Sequence, residues 1–354
     1  MKAITFSNLH FFVGIDTHLK QWKVTIRNCG IELKTFSMNP SPDELYKYLN
    51  KHYPNGTYFV VYEAGFCGLW PQRKFTALGI NCIVVNPADV PSSGKEKSAK
   101  SDPVDSRKLA RELENSSLKP IYVPDLYTEQ LRSLMRLRFR LSQGQTRIKN
   151  RIKMLLYNYG ISIPKEHLTN SRWSGYFIHW LKFVKLSSSA GQFTLNNLID
   201  QLEQTREHLK NVLRQLRQEA KQEDISAVIN ALTSVPGVAF ITAMSICTEI
   251  IDIRRFKRFD ELCSFVGLVP SVYSTGETEY TRGISFRHNK FLRPLLIEAA
   301  WTAVRKDPAL TLRFNELIKQ MSKQKAIIRI AKKLLRRIRH VWMNQDSYVK
   351  ALVA

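Results

Sequence analysis

The sequence predicts an α/β N-terminal domain followed by a mainly helical remainder, and three observations carry that reading. Short apolar runs alternate with helical stretches through the first third of the chain. Leucines at heptad spacing take over after residue 125. Lys and Arg outnumber Asp and Glu 54 to 30, a net charge of +24 over 354 residues, and the excess is concentrated in the helical part. At roughly 150 residues per domain the chain holds at least two modules, each able to bury a core. The composition shifts place the expected divisions at 1–125, 126–225 and 226–354.

The first module reads element by element. Phe11 to Asp16, Trp22 to Arg27 and Ile31 to Ser37 are three short strands separated by polar and Gly-containing turns, a meander. A helix is predicted from Ser41 to His52, with Asp43 and Glu44 in its first turn, where acids suit the helix dipole. The apolar run Tyr58 to Tyr62, a helix around Leu69 to Leu78 and a further run Ile80 to Val85 follow. Apolar runs alternating with helices imply a sheet with a parallel part covered on both faces. Three strands, helix, strand, helix, strand, helix is the RNase H-like order.

From Thr128 to Tyr157 the pattern is one long helix. Leu134, Leu141, Ile148 and Leu155 recur every seven residues, with Leu137 and Ile152 between them. Leu195, Leu202, Leu209 and Leu216 repeat the period. Two such helices would form an antiparallel hairpin or a dimerising coiled coil; packing against the sheet is the ordinary alternative. The remaining faces of the first helix are crowded with Arg136, Arg140, Arg147 and Arg151 among other cations, with almost no acids. A solvated helix mixes signs, so this face is read as a phosphate-contacting surface. The C-terminal stretch, with Lys323, Lys325, Arg329, Lys332, Lys333, Arg336, Arg337 and Arg339, has the same character.

A net charge of +24 concentrates polyanions, and nucleic acid is the first partner it suggests. No run of some 18 apolar residues exists and the N-terminus lacks signal-peptide organisation, so the expectation is a cytoplasmic, nucleoid-associated protein with no membrane role. Cys29, Cys67, Cys82, Cys247 and Cys263 are an odd, scattered set without a CxxC pair, which suits neither a disulfide framework nor zinc.

Four acids form the candidate chemistry. Asp16 ends the first strand and Glu63 ends the run Val60-Val61-Tyr62. A carboxylate at the end of an apolar strand is costly unless solvated or bound to a cation, and two on neighbouring strands repel. Asp102 and Asp105 lie three apart at a helix start, on one face. Four oxygen donors suit Mg²⁺ or Mn²⁺. Two ions about 4 Å apart would activate an attacking oxygen and stabilise the leaving one in phosphoryl transfer. Each acid also has a local role open to it: Asp102 before Pro103 makes a good helix cap, Glu63 a salt bridge, Asp16 with Thr17 a turn.

In the last module, Ser234-Val235-Pro236-Gly237-Val238-Ala239 between apolar helical runs looks like a helix-hairpin-helix, whose amides, Gly237 foremost, would meet a phosphate. The usual second glycine is Ala239 here. Then come Phe265-Val266-Gly267-Leu268-Val269-Pro270, Ser274-Thr275-Gly276, Arg282-Gly283-Ile284-Ser285 and Asn289 through Ala300.

With these motifs in order, GIDTH, VYEAG, INCIVVNP, KSDPVDSRKLA, a heptad middle, SVPGV and FVGLVP through LLIEAA, the chain resembles the DEDD-class insertion-sequence transposases related to Piv-type DNA invertases. That group includes the bridge-RNA-guided recombinases, and the resemblance spans nearly the whole chain. It implies a RuvC-like domain whose DEDD residues are Asp16, Glu63, Asp102 and Asp105. It also implies a C-terminal transposase domain with a serine nucleophile just before a glycine. In register that position is Thr275, and Ser274 is the adjacent, less hindered hydroxyl, so both stand. An ordinary polar turn is the alternative for these residues. Arg282, Arg287, Lys290 and Arg293 are candidate phosphate contacts beside the hydroxyl, or surface charges.

The function so implied is a transposase that cuts and rejoins donor and target DNA with a Mg²⁺-dependent acidic site and a covalent Ser/Thr intermediate. A structured RNA from its own element would guide it, and a homodimer or homotetramer would bring the hydroxyl and the acids together. Two alternatives compete: a metal-dependent junction nuclease in which water attacks, and a non-catalytic nucleic-acid-binding protein. No GxxxxGK[ST] loop is present, in keeping with a covalent ester that needs no ATP for rejoining.

Overall fold

A computed structural model describes residues 9–91, 102–167, 173–275 and 278–349; at 102, 103, 272–275 and 278–282 it describes the backbone only. The chain divides into two units, Met1–Val123 and Pro124–Ala354. The expected boundary at 225/226 falls inside the second of these.

Unit one is a five-stranded mixed sheet. Strands β1 (His10–Thr17), β2 (Trp22–Asn28), β3 (Ile31–Met38), β4 (Thr57–Glu63) and β5 (Asn81–Val85) lie in the order β3-β2-β1-β4-β5. The first three pair antiparallel; β1, β4 and β5 pair parallel. The β2–β3 hairpin closes on Cys29 and Gly30, both at positive φ (48° and 79°), a left-handed two-residue turn that matches strand twist. Helix α1 (Pro42–His52) starts where Ser41 accepts a hydrogen bond from the Glu44 amide and Pro42 presets the first turn.

Period-two alternation sorts the sheet's two faces. Phe11, Val13, Ile15, Trp22, Val24, Ile26, Tyr58, Val60 and Tyr62 point to α1 and to α2 (Trp70–Ala77), where Leu45, Leu49 and Phe75 complete a core. The opposite face carries Gly14, Thr25 and Val61 and is covered by α3 (Asp102–Glu114). This arrangement is consistent with the RNase H-like order expected from the sequence.

Unit two begins with a helical hairpin. Helices α4 (Leu126–Asn158) and α6 (Ser189–Glu219) pack antiparallel, joined through a connector that contains α5 (Gly175–Phe183). Leu131 and Met135 share a core with Leu216, while Ile148, Ile152 and Leu156 share another with Leu195, Ile199 and Leu202. The leucines expected in the seam of α4 lie at its margin: Leu134 and Leu155 are half-buried and pack against the two cores, Leu141 is half-buried and Leu137 is exposed. The packed positions are 131, 135, 148, 152 and 156, because polar Ser142 and Gln145 occupy the middle turns and the seam follows the partner helix. In α6 the expected stripe packs at Leu195, Leu202 and Leu216, with Leu209 half-buried.

The rest of unit two is mainly helical: α7 (Glu223–Thr233), α8 (Phe240–Ile250), α9 (Phe259–Val266), α10 (Leu292–Lys306), α11 (Pro308–Ile318) and α12 (Lys323–Asn344). A two-stranded hairpin, β6 (Pro270–Thr275) with β7 (Thr278–Ile284), is inserted before α10. The basic helix α12 is deeply amphipathic. Nine apolar side chains from Ala326 to Trp342 sit in the core, while Lys323, Lys325, Arg329, Lys333 and Arg336 are exposed.

Candidate active site

Asp16 and Glu63 stand side by side. The β1–β4 register pairs Ile15 with Tyr62, so the next step along both parallel strands pairs Asp16 with Glu63 at the carboxyl ends. Alternation puts both on the face of Gly14 and Val61, the face that α3 covers.

Helix α3 runs antiparallel to β1, which brings its first turn to the same end. Its last residue, Glu114, accepts from Arg27 Nε at 2.8 Å and from the Gly30 amide at 2.6 Å, beside the level of Phe12. Two turns earlier, Ser106 shares a buried hydroxyl contact of 2.9 Å with Thr25, which pairs with Gly14. Continuing in that direction, Asp105 and then Asp102 lie toward Lys23, the β2 partner of Asp16. The backbone therefore gathers the four sequence-predicted acids at one end of one sheet face.

Gly14 makes that possible. A Cβ built there would lie 2.3 Å from the Ser106 carbonyl oxygen and 2.4 Å from the Ala110 nitrogen, so any side chain would lift α3 off the sheet. Thr25 completes the seat with a second contact, 2.8 Å to Thr35. Sequence reasoning missed Gly14 and Ser106 as positioning residues. The available signal was a glycine inside the apolar run of a strand, which marks a close backbone approach.

The Asp16 carboxylate is 22% exposed and meets His18 Nε2 at 3.1 Å. Among the described residues no three His, Cys, Asp or Glu side chains stand close enough together to hold an ion. The side chain of Asp102 lies outside the described residues. The donors fit a hard divalent cation in chemical type and in backbone placement, all being carboxylates at one strand end, while the described side chains of Asp16, Glu63 and Asp105 do not by themselves form a closed cage.

The two candidate hydroxyls sit at the tip of the β6–β7 hairpin. Ser274 pairs with Glu279 and Thr275 with Thr278, the last pair before the turn. Their side chains, that of Arg282 and all of Gly276 lie outside the described residues.

The predicted basic contacts divide into two groups. Arg140, Arg147, Arg151, Arg287 and Lys290 are exposed. Arg136 instead grips the buried Glu249 through two hydrogen bonds of 2.8 and 3.0 Å and lies 4.8 Å from the Phe291 ring centre. Arg293 donates to the Gly267 and Ser285 carbonyls and to His288 Nδ1. In these two residues the guanidinium is engaged in internal bonding, since a buried carboxylate or carbonyl needs a donor. Glu249, alone in the apolar helix α8, was the visible sign that some cation must be spent on it.

Gly237 also has a structural task. Its φ is +88°, and a Cβ would lie 2.3 Å from the Ala299 carbonyl oxygen of α10. Close packing on α10 is enough to require the glycine.

Comparison with known proteins identifies two family matches along the chain. Residues 13–161 match the DEDD-type IS110 transposase family, and residues 229–315 match the family described as Transposase IS116/IS110/IS902. The transposase for insertion sequence element IS1111A of Coxiella burnetii is 30% identical over 300 residues, covering 82% of this chain and 79% of that protein. Putative transposase y4rJ of Sinorhizobium fredii is 26% identical over 362 residues, 92% and 89% of the two chains. Putative transposase y4qE of the same organism is 29% identical over 244 residues, 69% of this chain but only 58% of that relative's length. No helix among the described residues is long and apolar enough to cross a membrane.

Proposed function

Because the chain belongs to the IS116/IS110/IS902 family of transposases, we propose that it cleaves and rejoins DNA at the strand ends of unit one, with a hydroxyl of unit two as the nucleophile. The observation that carries the proposal is the register-matched pair Asp16 and Glu63 at the end of β1 and β4, with the first turn of α3 running toward it. Asp16, Glu63, Asp105 and Asp102 would hold Mg²⁺ or Mn²⁺. When bound, such an ion withdraws charge from a phosphoryl oxygen and lowers the cost of the pentavalent state.

The hydroxyl of Ser274 or Thr275 attacks phosphorus. Its oxygen–phosphorus bond forms as the bond to the sugar oxygen breaks, the hydroxyl proton goes to a base, and the leaving oxygen is reprotonated. Attack by a sugar hydroxyl reverses the step and rejoins a strand. Both candidate hydroxyls belong to the last pairs of a two-stranded hairpin, Ser274 with Glu279 and Thr275 with Thr278.

The guide is proposed to be a structured RNA transcribed from the element itself. Support comes from the net charge of +24 and from the exposed cations of α4 and α12, a surface suited to a polyanion. A homodimer or homotetramer would join donor and target DNA.

The test is cleavage of a plasmid bearing the element's ends, with the native flank co-transcribed. Asp16→Asn is expected to lower cleavage about 10³-fold, and Ser274→Ala combined with Thr275→Ala to abolish the covalent protein–DNA adduct on a denaturing gel. Cleavage by that double variant at the parental rate would establish water as the nucleophile and a nuclease instead. Sequencing of copurified RNA yields one discrete flank transcript if the guide exists.

A further inference from the structure

Three large apolar side chains are exposed at the acidic end of the sheet, where a soluble surface gains nothing from them. Leu19, in the β1–β2 turn three residues beyond Asp16, is 82% exposed; Phe66, three beyond Glu63, is 61% exposed; Trp70, at the start of α2, is 48% exposed. Three residues span at most about 10 Å, so the first two lie within that reach of the carboxylates.

The loop that presents Phe66 is held in place. The Tyr62 hydroxyl, rooted in the core beneath, donates to the Gly68 carbonyl at 3.0 Å and accepts from the Gln72 amide at 3.3 Å. Thr17 Oγ1 meets Cys67 Sγ at 3.5 Å and ties the loop to the end of β1, and the Ala64 amide bonds the Val85 carbonyl at 2.7 Å. Trp70 rests on the buried Trp22, their ring centres 6.1 Å apart. Phe66 has no ring partner of this kind among the described residues, so a fixed loop offers an open aromatic face to solvent.

We infer that Phe66, flanked by Leu19 and Trp70, is a stacking platform for an unpaired nucleobase next to the phosphate held at the strand ends. The inference rests on the strand-end reading above. A phosphate at Asp16 and Glu63 places the neighbouring bases within one to three steps of about 3.4 Å, the interval these side chains occupy. An aromatic face carries no hydrogen-bond code, so it accepts any base, but only one freed from its pair. Phe66 thereby selects branched, gapped or unwound DNA over continuous duplex. The exposed Lys20 adds a cation to the same rim for the adjoining backbone.

The test uses the full chain carrying Asp16→Asn, so that the probe stays intact, and a four-way DNA junction with 2-aminopurine at the branch. Phe66→Ala is expected to weaken junction binding about tenfold, to leave affinity for continuous duplex within about twofold, and to abolish the quenching of 2-aminopurine on binding. Phe66→Trp should restore both. Parental affinity and quenching in Phe66→Ala would overturn the inference. Failure of the strand-end reading shows differently, as full cleavage activity in the Asp16→Asn protein.

Discussion

The carboxylates of the two units meet opposite fates. In unit two, Glu249 is 4% exposed and clamped by Arg136 and Asn289, and Asp307 is 1% exposed and accepts from Arg337 at 2.6 Å and from the Tyr348 hydroxyl at 2.7 Å. Each buried charge is neutralised by an arginine from a distant part of the chain. In unit one, Asp16, Glu63 and Asp105 come to an open strand end, where Asp16 faces a histidine. Paired charge in a core holds helices together; like charge gathered at a strand end is stable only with water or a cation. The difference separates carboxylates with an evident architectural task from those proposed above for chemistry.

That separation is most exposed to failure at Asp307. Asp307→Ala strands the Arg337 guanidinium and removes the acceptor of the Leu310 amide, so a loss of about 3–5 kcal/mol is expected in denaturant melts. Asp16→Asn, in the same assay, should leave the midpoint unchanged or raise it. Equal effects at both sites would erase the distinction.

Gly14→Ala joins the two categories, because the residue is structural and the helix it seats carries two of the acids. Overpacking against the Ser106 carbonyl should cost about 1–3 kcal/mol. Cleavage should fall further than the fraction unfolded explains, measured at a temperature where the variant is still folded.

The smallest effect belongs to Asp125, a carboxylate that is partnered but exposed. Burial opposes its ionisation, yet hydrogen bonds from the Thr128 hydroxyl and amide outweigh that and hold the carboxyl below its usual range. A folded pKa below the unfolded value of about 3.9 means stabilisation that is complete above that pH and lost as pH falls through the folded value. Asp125→Ala should therefore cost about 1 kcal/mol at pH 7, and the gap from the parent protein should shrink below about pH 4.

Much of unit one was legible in advance. All five strands and the order of elements follow from apolar runs and turn residues, and Asp16 and Glu63 are visible as acids ending such runs. The β6–β7 hairpin was not, because Ser274-Thr275-Gly276 reads as a polar turn and the flanking strand residues carry no clean alternation. In α4 the heptad pattern pointed to a helix and a partner and found Ile148 and Ile152 in the packed seam, but at the N-terminal end Leu131 and Met135 pack more deeply than Leu134, and only the position of α6 decides between them. Arg136 and Arg151 look alike in the sequence. One is 113 positions from the glutamate that claims it; the other stays at the surface.

By itself the sequence determined where strands and helices run, which ends of them bear acid, and that the helical part is basic. Those properties depend on a few neighbouring residues, on period and on summed charge. The tertiary structure alone decided that β1 and β4 lie in a register that aligns Asp16 with Glu63, that α3 crosses at Gly14 with its first turn toward them, and which arginines are spent inside the fold. Each of these is a contact between segments tens to more than a hundred residues apart, settled by close packing and by the need of every buried charge for a partner.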